Sequence, residues 1–137
     1  MAVLMGTACG FFMGTLFTML WAINITAPDR KPSALFGFFS RVPGTIPASA
    51  LLPLVVMGAW GLGGGMIGVV YIGVEALAPG PGLGSPNMAF SIGVCAFSLN
   101  AIVLGALWVR KWFWRDGYLL GTAFAGMFGW LMPVLLS

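Results

Sequence analysis

One acidic side chain of this 137-residue chain stands apart from all basic residues, and it is the first candidate for chemistry. An ionisable group inside a membrane is costly and often functional, and proton-coupled carriers use such a carboxylate as an exchange site. Glu75, however, lies four residues before Pro79, about one helical turn from the end of an apolar stretch. We therefore favour a carboxylate at the membrane–water interface, with an ion pair to a partner protein as a further alternative.

Asn100 is the second candidate, because it lies ten residues before Arg110 and so roughly 15 Å from the inner end of its apolar stretch. That depth places an amide near the centre of a bilayer, where it needs a hydrogen-bond partner. The sequence offers Ser98, Thr15 and Thr18 as partners. We expect Asn100 to join helices, and the alternative is coordination of a substrate or an ion.

The rest of the composition argues against catalysis and against a metal or cofactor held by the chain's own ligands. The sequence has no histidine, and Cys9 and Cys95 lie in apolar stretches without the spacing of a redox or metal site. The glycine-rich run 61–68 lacks the strand–turn–helix context of a nucleotide fingerprint. We predict a protein that is not an enzyme, with bound lipid or contact with a partner's cofactor left open.

Charge and hydrophobicity place both candidates in a membrane. Eight of the nine charged residues fall within 29–41 and 110–116, and charged residues make up 7% of the chain against 60% hydrophobic residues. A soluble domain would carry roughly a quarter of its residues as charge, spread over its surface. The basic residues also form no continuous basic face, so we expect no nucleic-acid partner.

Four apolar stretches lie between and beside the charge clusters, and they predict an all-α integral membrane protein. The whole chain is expected to form one bundle of four transmembrane helices, each able to cross the roughly 30 Å hydrocarbon core. Residues 33–43 are too few to span, and their apolar side chains predict a short interfacial segment after the first helix. The expected spans are about 2–26, 47–77, 88–109 and 117–136.

The second span is longer than a crossing requires, at roughly 48 Å if it forms one straight helix. Glycines crowd its centre at 61–65, and Pro53 lies near its start. Glycine is a weak point in a helix, so a break at this position is one reading. The favoured reading is an unbroken helix whose glycines pack closely against another helix.

The signs of the clustered charges orient the bundle. Each cluster carries three basic residues and one acidic residue, for a net charge of +2, while the loop at 78–87 is uncharged. By the positive-inside rule both basic loops face the cytoplasm or its equivalent, which places both termini outside. A bacterial inner membrane or an organelle membrane fits this arrangement. Most tryptophans lie near span ends as aromatic belts require, and Trp60 near mid-span is the exception.

Small residues recur every four positions on each span, a spacing that puts them on one face of a helix. In lipid, such faces let helices approach closely. Stripes on all four spans exceed what one small bundle needs, so we expect some of them to face a second protein. The predicted packing residues are Gly6, Gly10, Gly14, Gly61, Gly65, Gly117, Gly121 and Gly129.

These observations together predict a non-catalytic accessory or structural subunit of a larger integral-membrane complex, with other membrane subunits and lipid as its partners. A respiratory or photosynthetic electron-transport assembly is the favoured setting. The alternative is a small homo-oligomeric ion channel or proton-coupled transporter with Glu75 or Asn100 on its path. The two hypotheses differ in one observable, because only the first requires a stoichiometric partner.

Overall fold

Four long helices make up the part of the chain that the computed structural model describes, residues 1–25, 48–80, 87–108 and 113–137. Helix accounts for 94% of these residues, and no strand occurs among them. The last helix is continuous but changes from α to π geometry and back, so it comprises α4, a π-helical segment and α5. The elements are α1 (Ala2–Ile25), α2 (Ala48–Leu77), α3 (Met88–Trp108), α4 (Phe113–Phe124), the π-helical segment (Ala125–Leu131) and α5 (Met132–Leu136).

Each of the four helices is long and apolar enough to cross a membrane, which confirms the predicted all-α architecture at that level. The candidate spans contain 22, 27, 20 and 21 residues, or about 30 to 40 Å of helix. The predicted interfacial segment at 33–43 lies outside the described residues. Of the six basic residues that set the predicted orientation, five lie outside them as well, and Arg115 lies in α4. The spans are Ala2–Ile23, Leu51–Leu77, Met88–Leu107 and Asp116–Leu136.

The backbones of α1 and α2 touch along a line of glycines. A Cβ on Gly6 would overlap the carbonyl oxygen of Gly64, and a Cβ on Gly10 would overlap the carbonyl oxygen of Trp60. The contacts run in opposite order along the two helices, so α1 and α2 are antiparallel. Any side chain larger than hydrogen at these positions would force the two helices apart.

The helix α2 runs unbroken through its glycine cluster, because that cluster is packing surface. A Cβ on Gly61 would lie 3.0 Å from the ring of Phe11, and a Cβ on Gly65 would lie 2.9 Å from the Thr7 hydroxyl oxygen. Gly63 points away from α1, and a Cβ there would meet no atom within 4 Å. The structure thus has the close-packed form of this span and not the broken one.

The fourth span packs between α1 and α3 and completes the core. Phe128, in the π-helical segment, is fully buried together with Met13 and Met132. The small residues of this span let α3 approach, since a Cβ on Gly129 would lie 3.3 Å from the Cys95 sulfur. Contacts between α2 and α3 are few by comparison. The bundle is therefore two tight pairs, α1 with α2 and α3 with the fourth span, with an opening between α2 and α3.

Candidate functional site

A network of hydrogen bonds joins the end of α2 to the start of α3, and Glu75 is at its centre. The Oε2 atom of Glu75 accepts a hydrogen bond of 2.6 Å from Nδ2 of Asn87. Its Oε1 atom accepts a second bond of 3.1 Å from the backbone N–H of Gly80. The carboxylate is thus fixed near the end of its helix, half-buried, and both of its oxygens are engaged.

Asn87 is the residue that sequence reasoning missed. Its side chain is only 2% exposed, and Nδ2 also donates to the carbonyl oxygen of Ala78 at 2.9 Å. Its Oδ1 atom accepts a 3.2 Å hydrogen bond from the backbone N–H of Phe90, which makes Asn87 the N-cap of α3. An asparagine immediately before an apolar run is a helix-start signal, and that signal could have singled it out.

An aromatic pair lies beside this junction and continues the contact between the two helices. The rings of Tyr71 and Phe90 meet edge to face, with centroids 4.9 Å apart. Such geometry adds roughly 0.5 to 1.5 kcal/mol beyond the area that the rings bury. Glu75, Asn87 and this pair together hold the end of α2 against the start of α3, and the two helices diverge from this junction.

Asn100 lies elsewhere, on an exposed face of α3. Its Nδ2 atom donates to the carbonyl oxygen of Ala96 in the same helix at 2.8 Å. The three expected partners are engaged in the same way, each with the carbonyl four residues before it. Ser98 donates to Val94, Thr15 to Phe11 and Thr18 to Gly14, at 2.9, 3.0 and 2.8 Å. Within the described residues, Asn100 does not join two helices of this chain.

The opening between α2 and α3 is an apolar groove of about 620 Å³. It extends along α2 from Ala59 to Val74 and along α3 from Ala89 to Phe97, and Phe124 of the fourth span closes its floor. Gly63 and Gly93 contribute no side chain to its walls, and a Cβ at either position would meet open space. The groove therefore has room for a slender apolar guest.

An aromatic cluster separates this groove from a second, smaller cavity. Trp60 and Phe97 each contact the ring of Phe124, with centroids 6.4 and 6.0 Å apart, and the three residues line both spaces. The second cavity measures about 260 Å³ and reaches Gly117 and Gly121 of the fourth span. Trp60, the exception to the predicted aromatic belts, is thus an interior residue of the bundle.

The predicted packing glycines fall into two groups in the structure. Those of α1 and α2 lie between these two helices, while Gly121 and Gly129 of the fourth span face α3. A Cβ on Gly121 would overlap the side chain of Ile102, and Gly117 is buried beside the smaller cavity. All eight of these glycines therefore lie at contacts or cavities inside the described bundle.

Chemically reactive side chains are sparse in the described part of the chain. No group of three or more histidine, cysteine, aspartate or glutamate residues comes together there to hold a metal ion. Cys9 is buried, Cys95 is exposed, and both are free thiols. Comparison with protein-family models, with curated proteins and with solved structures gave no match. The geometry of the junction, the groove and the Asn100 face is therefore the basis for the functional argument.

Proposed function

We propose that this chain is a multi-pass membrane protein that serves as a non-catalytic accessory subunit of a larger integral-membrane complex. One observation carries the proposal: Asn100 is exposed on α3, the least buried of the four candidate spans. The share of the span buried inside the bundle is 17% for α3, against 22 to 28% for the others. The mid-span amide is thus exposed on the helix that has the least cover from this chain.

The energetics of an exposed amide favour a partner helix at this face. Exposed leucine and isoleucine side chains are stable in contact with lipid. An amide oxygen that accepts no hydrogen bond there costs free energy. Among the described residues, the only hydrogen bond of Asn100 is the one from Nδ2 to the Ala96 carbonyl. A donor on a neighbouring helix would supply the missing bond, with a gain of about 0.6 to 2 kcal/mol.

The described geometry supports a subunit more than a channel or a carrier. Glu75 lies at the end of α2, and its two oxygens already accept hydrogen bonds from Asn87 and Gly80. Asn100 lies on the outside of the bundle and not along a path through it. The space between α2 and α3 is lined by apolar residues, which gives an ion nothing to replace its water shell.

Purification of the tagged chain from its native membrane in mild detergent tests the proposal. We expect a second membrane protein in stoichiometric amount on native gels. Asn100→Leu should weaken its retention by about tenfold, since the lost bond is worth up to 2 kcal/mol. Thr122→Val is the matched control, because Thr122 is also exposed and also donates to its own helix, to Tyr118 at 2.8 Å. The control should retain the partner in full.

A chain that migrates alone, or only as a homo-oligomer, would overturn the accessory-subunit proposal and leave the channel or transporter as the alternative. In that case the purified chain would be reconstituted and assayed for ion flux and proton-coupled uptake. Loss of transport in Glu75→Gln or Asn100→Ala would then place that residue on the path. The respiratory or photosynthetic setting stays a prediction, and the identity of the co-purified protein decides it.

A further inference from the structure

We infer that the groove between α2 and α3 binds one acyl chain of a phospholipid whose head group carries an ammonium group. The inference rests on the membrane location in the proposed function, but it does not depend on a protein partner. The groove volume of about 620 Å³ lies within the roughly 300 to 1,000 Å³ of sites that bind small apolar ligands. Its walls present hydrocarbon, glycine Cα atoms and aromatic faces, which suit a hydrocarbon chain.

One end of the groove lies beside the α2–α3 junction, at Val74 and Ala89. Along α3 the lining ends at Phe97, after about 12 Å of helix rise, which is close to half of a roughly 30 Å hydrocarbon core. Along α2 the lining continues from Val74 to Ala59, or about 22 Å. The groove is therefore long enough for one acyl chain of a lipid whose head group lies at the junction.

An aromatic cluster closes the inner end of the groove. The rings of Trp60 and Phe97 each contact the ring of Phe124 there, with centroids 6.4 and 6.0 Å apart. A slender, flexible hydrocarbon chain can lie along the groove and end against these rings.

The charge at the entrance selects the head group. Val74 and Ala89, at the outer end of the groove, are next to Glu75 and close to Asn87 in sequence, so the fixed carboxylate lies at that end. Glu75 is the one charged residue in the sequence from 48 to 109. The entrance is therefore net negative. An ammonium head group complements it, and a net-anionic head group is repelled.

Brominated lipids test the inference, because bromine on an acyl chain quenches tryptophan fluorescence only at contact. A chain that retains Trp60 as its single tryptophan would be reconstituted into vesicles of brominated phosphatidylethanolamine or of brominated phosphatidylglycerol. We expect quenching to saturate at a lower mole fraction of the ethanolamine lipid. Glu75→Gln should reduce this preference by up to about fivefold, the range of an exposed charge pair. Native mass spectrometry of the otherwise unchanged chain provides a count of retained lipids that needs no tryptophan substitutions.

Four glycines give matched variants for both readouts. Gly63→Leu and Gly93→Leu fill the groove, while Gly58→Leu and Gly73→Leu project into open space outside its lining. The groove variants should lose the retained lipid and at least half of the Trp60 quenching, and the controls should keep both. Equal quenching in the groove variants and in the control variants would overturn the inference. Equal retention of the two lipids by the unchanged chain would overturn it as well. Failure of the chain to insert into vesicles at all would instead overturn the proposed membrane function, on which the inference rests.

Discussion

The substitution Gly10→Ala, which adds a single methyl group, should separate α1 from α2 and destabilise the bundle. The Cβ of Gly10→Ala would overlap the Trp60 carbonyl oxygen and would lie 2.8 Å from the Trp60 carbonyl carbon and 3.0 Å from the Gly61 Cα atom. Carbon atoms pack best at about 3.5 to 4.0 Å. All of these neighbours are backbone atoms, so no side-chain rotation can relieve the overlap. Relief of the two carbon contacts alone requires the helices to separate by at least about 0.5 to 1 Å along the glycine line.

The magnitude follows from that separation. A gap of 0.5 to 1 Å forfeits a quarter to a half of the dispersion energy of each affected contact. Overpacking of a well-packed interface by one methyl group costs about 1 to 3 kcal/mol, and we expect Gly10→Ala to fall in the upper half of that range. Gly63→Ala is the control, because its Cβ meets no atom within 4 Å. Its free energy of unfolding should remain within about 0.5 kcal/mol of that of the parent, or rise slightly because alanine has the better helix propensity.

Unfolding in mixed micelles with a rising fraction of sodium dodecyl sulfate measures the free energy of unfolding of both variants. Far-ultraviolet circular dichroism reports the helix content. In a background that retains Trp60 as its single tryptophan, fluorescence reports the environment of Trp60 at this interface. The free energy of unfolding should fall for Gly10→Ala and not for Gly63→Ala. Equal effects of the two substitutions would refute the glycine-packed interface, because they would show that α1 and α2 do not touch along this line.

Three further predictions concern other contacts of the bundle and use the same unfolding assay. Gly121→Ala should cost less than Gly10→Ala, because its Cβ meets the side chain of Ile102, which can move, and not backbone; an equal or larger loss would contradict this. Asn87→Ala removes the α3 cap and a bond to a charged carboxylate, so we expect a loss of about 2 to 4 kcal/mol, whereas the exposed Thr122→Val should stay within about 0.5 kcal/mol. Asn87→Asp keeps the cap acceptor but sets a second carboxylate beside Glu75, so its stability should recover as the pH is lowered and one of the two carboxylates binds a proton. A pH-independent loss would show that the two side chains are not in contact.

Composition sufficed to predict the four helices, because charge depletion over stretches of about 20 residues has few structural solutions. The hydrogen-bonded site around Glu75 was harder to predict from the sequence. The spacing from Glu75 to Pro79 correctly places the carboxylate near the end of α2, but the sequence shows no charged partner for it. The actual partner, Asn87, is a neutral residue 12 positions away, and the two meet because the fold sets the start of α3 beside the end of α2.

Other features depend on tertiary packing and leave little trace in the sequence. Asn100 was expected to bond to another helix, yet its amide, like the nearby hydroxyls, bonds to the carbonyl four residues earlier, which is always within reach in a helix. The groove arises because α2 and α3 diverge from their junction, and no local pattern encodes that angle. The π-helical segment at Ala125–Leu131 places Phe128 in the core, and its surrounding residues are ordinary for an α-helix.

A photoreactive amino acid incorporated at position 100 tests the central claim most directly. In native membranes, irradiation should yield one defined adduct with a second membrane protein, because the exposed α3 face around Asn100 is proposed to contact a partner helix. The same photoreactive group at position 122, on the exposed face of α4 that carries Thr122, should yield no such adduct. Adducts at position 100 with lipid alone, or with a second copy of this chain alone, would contradict the account.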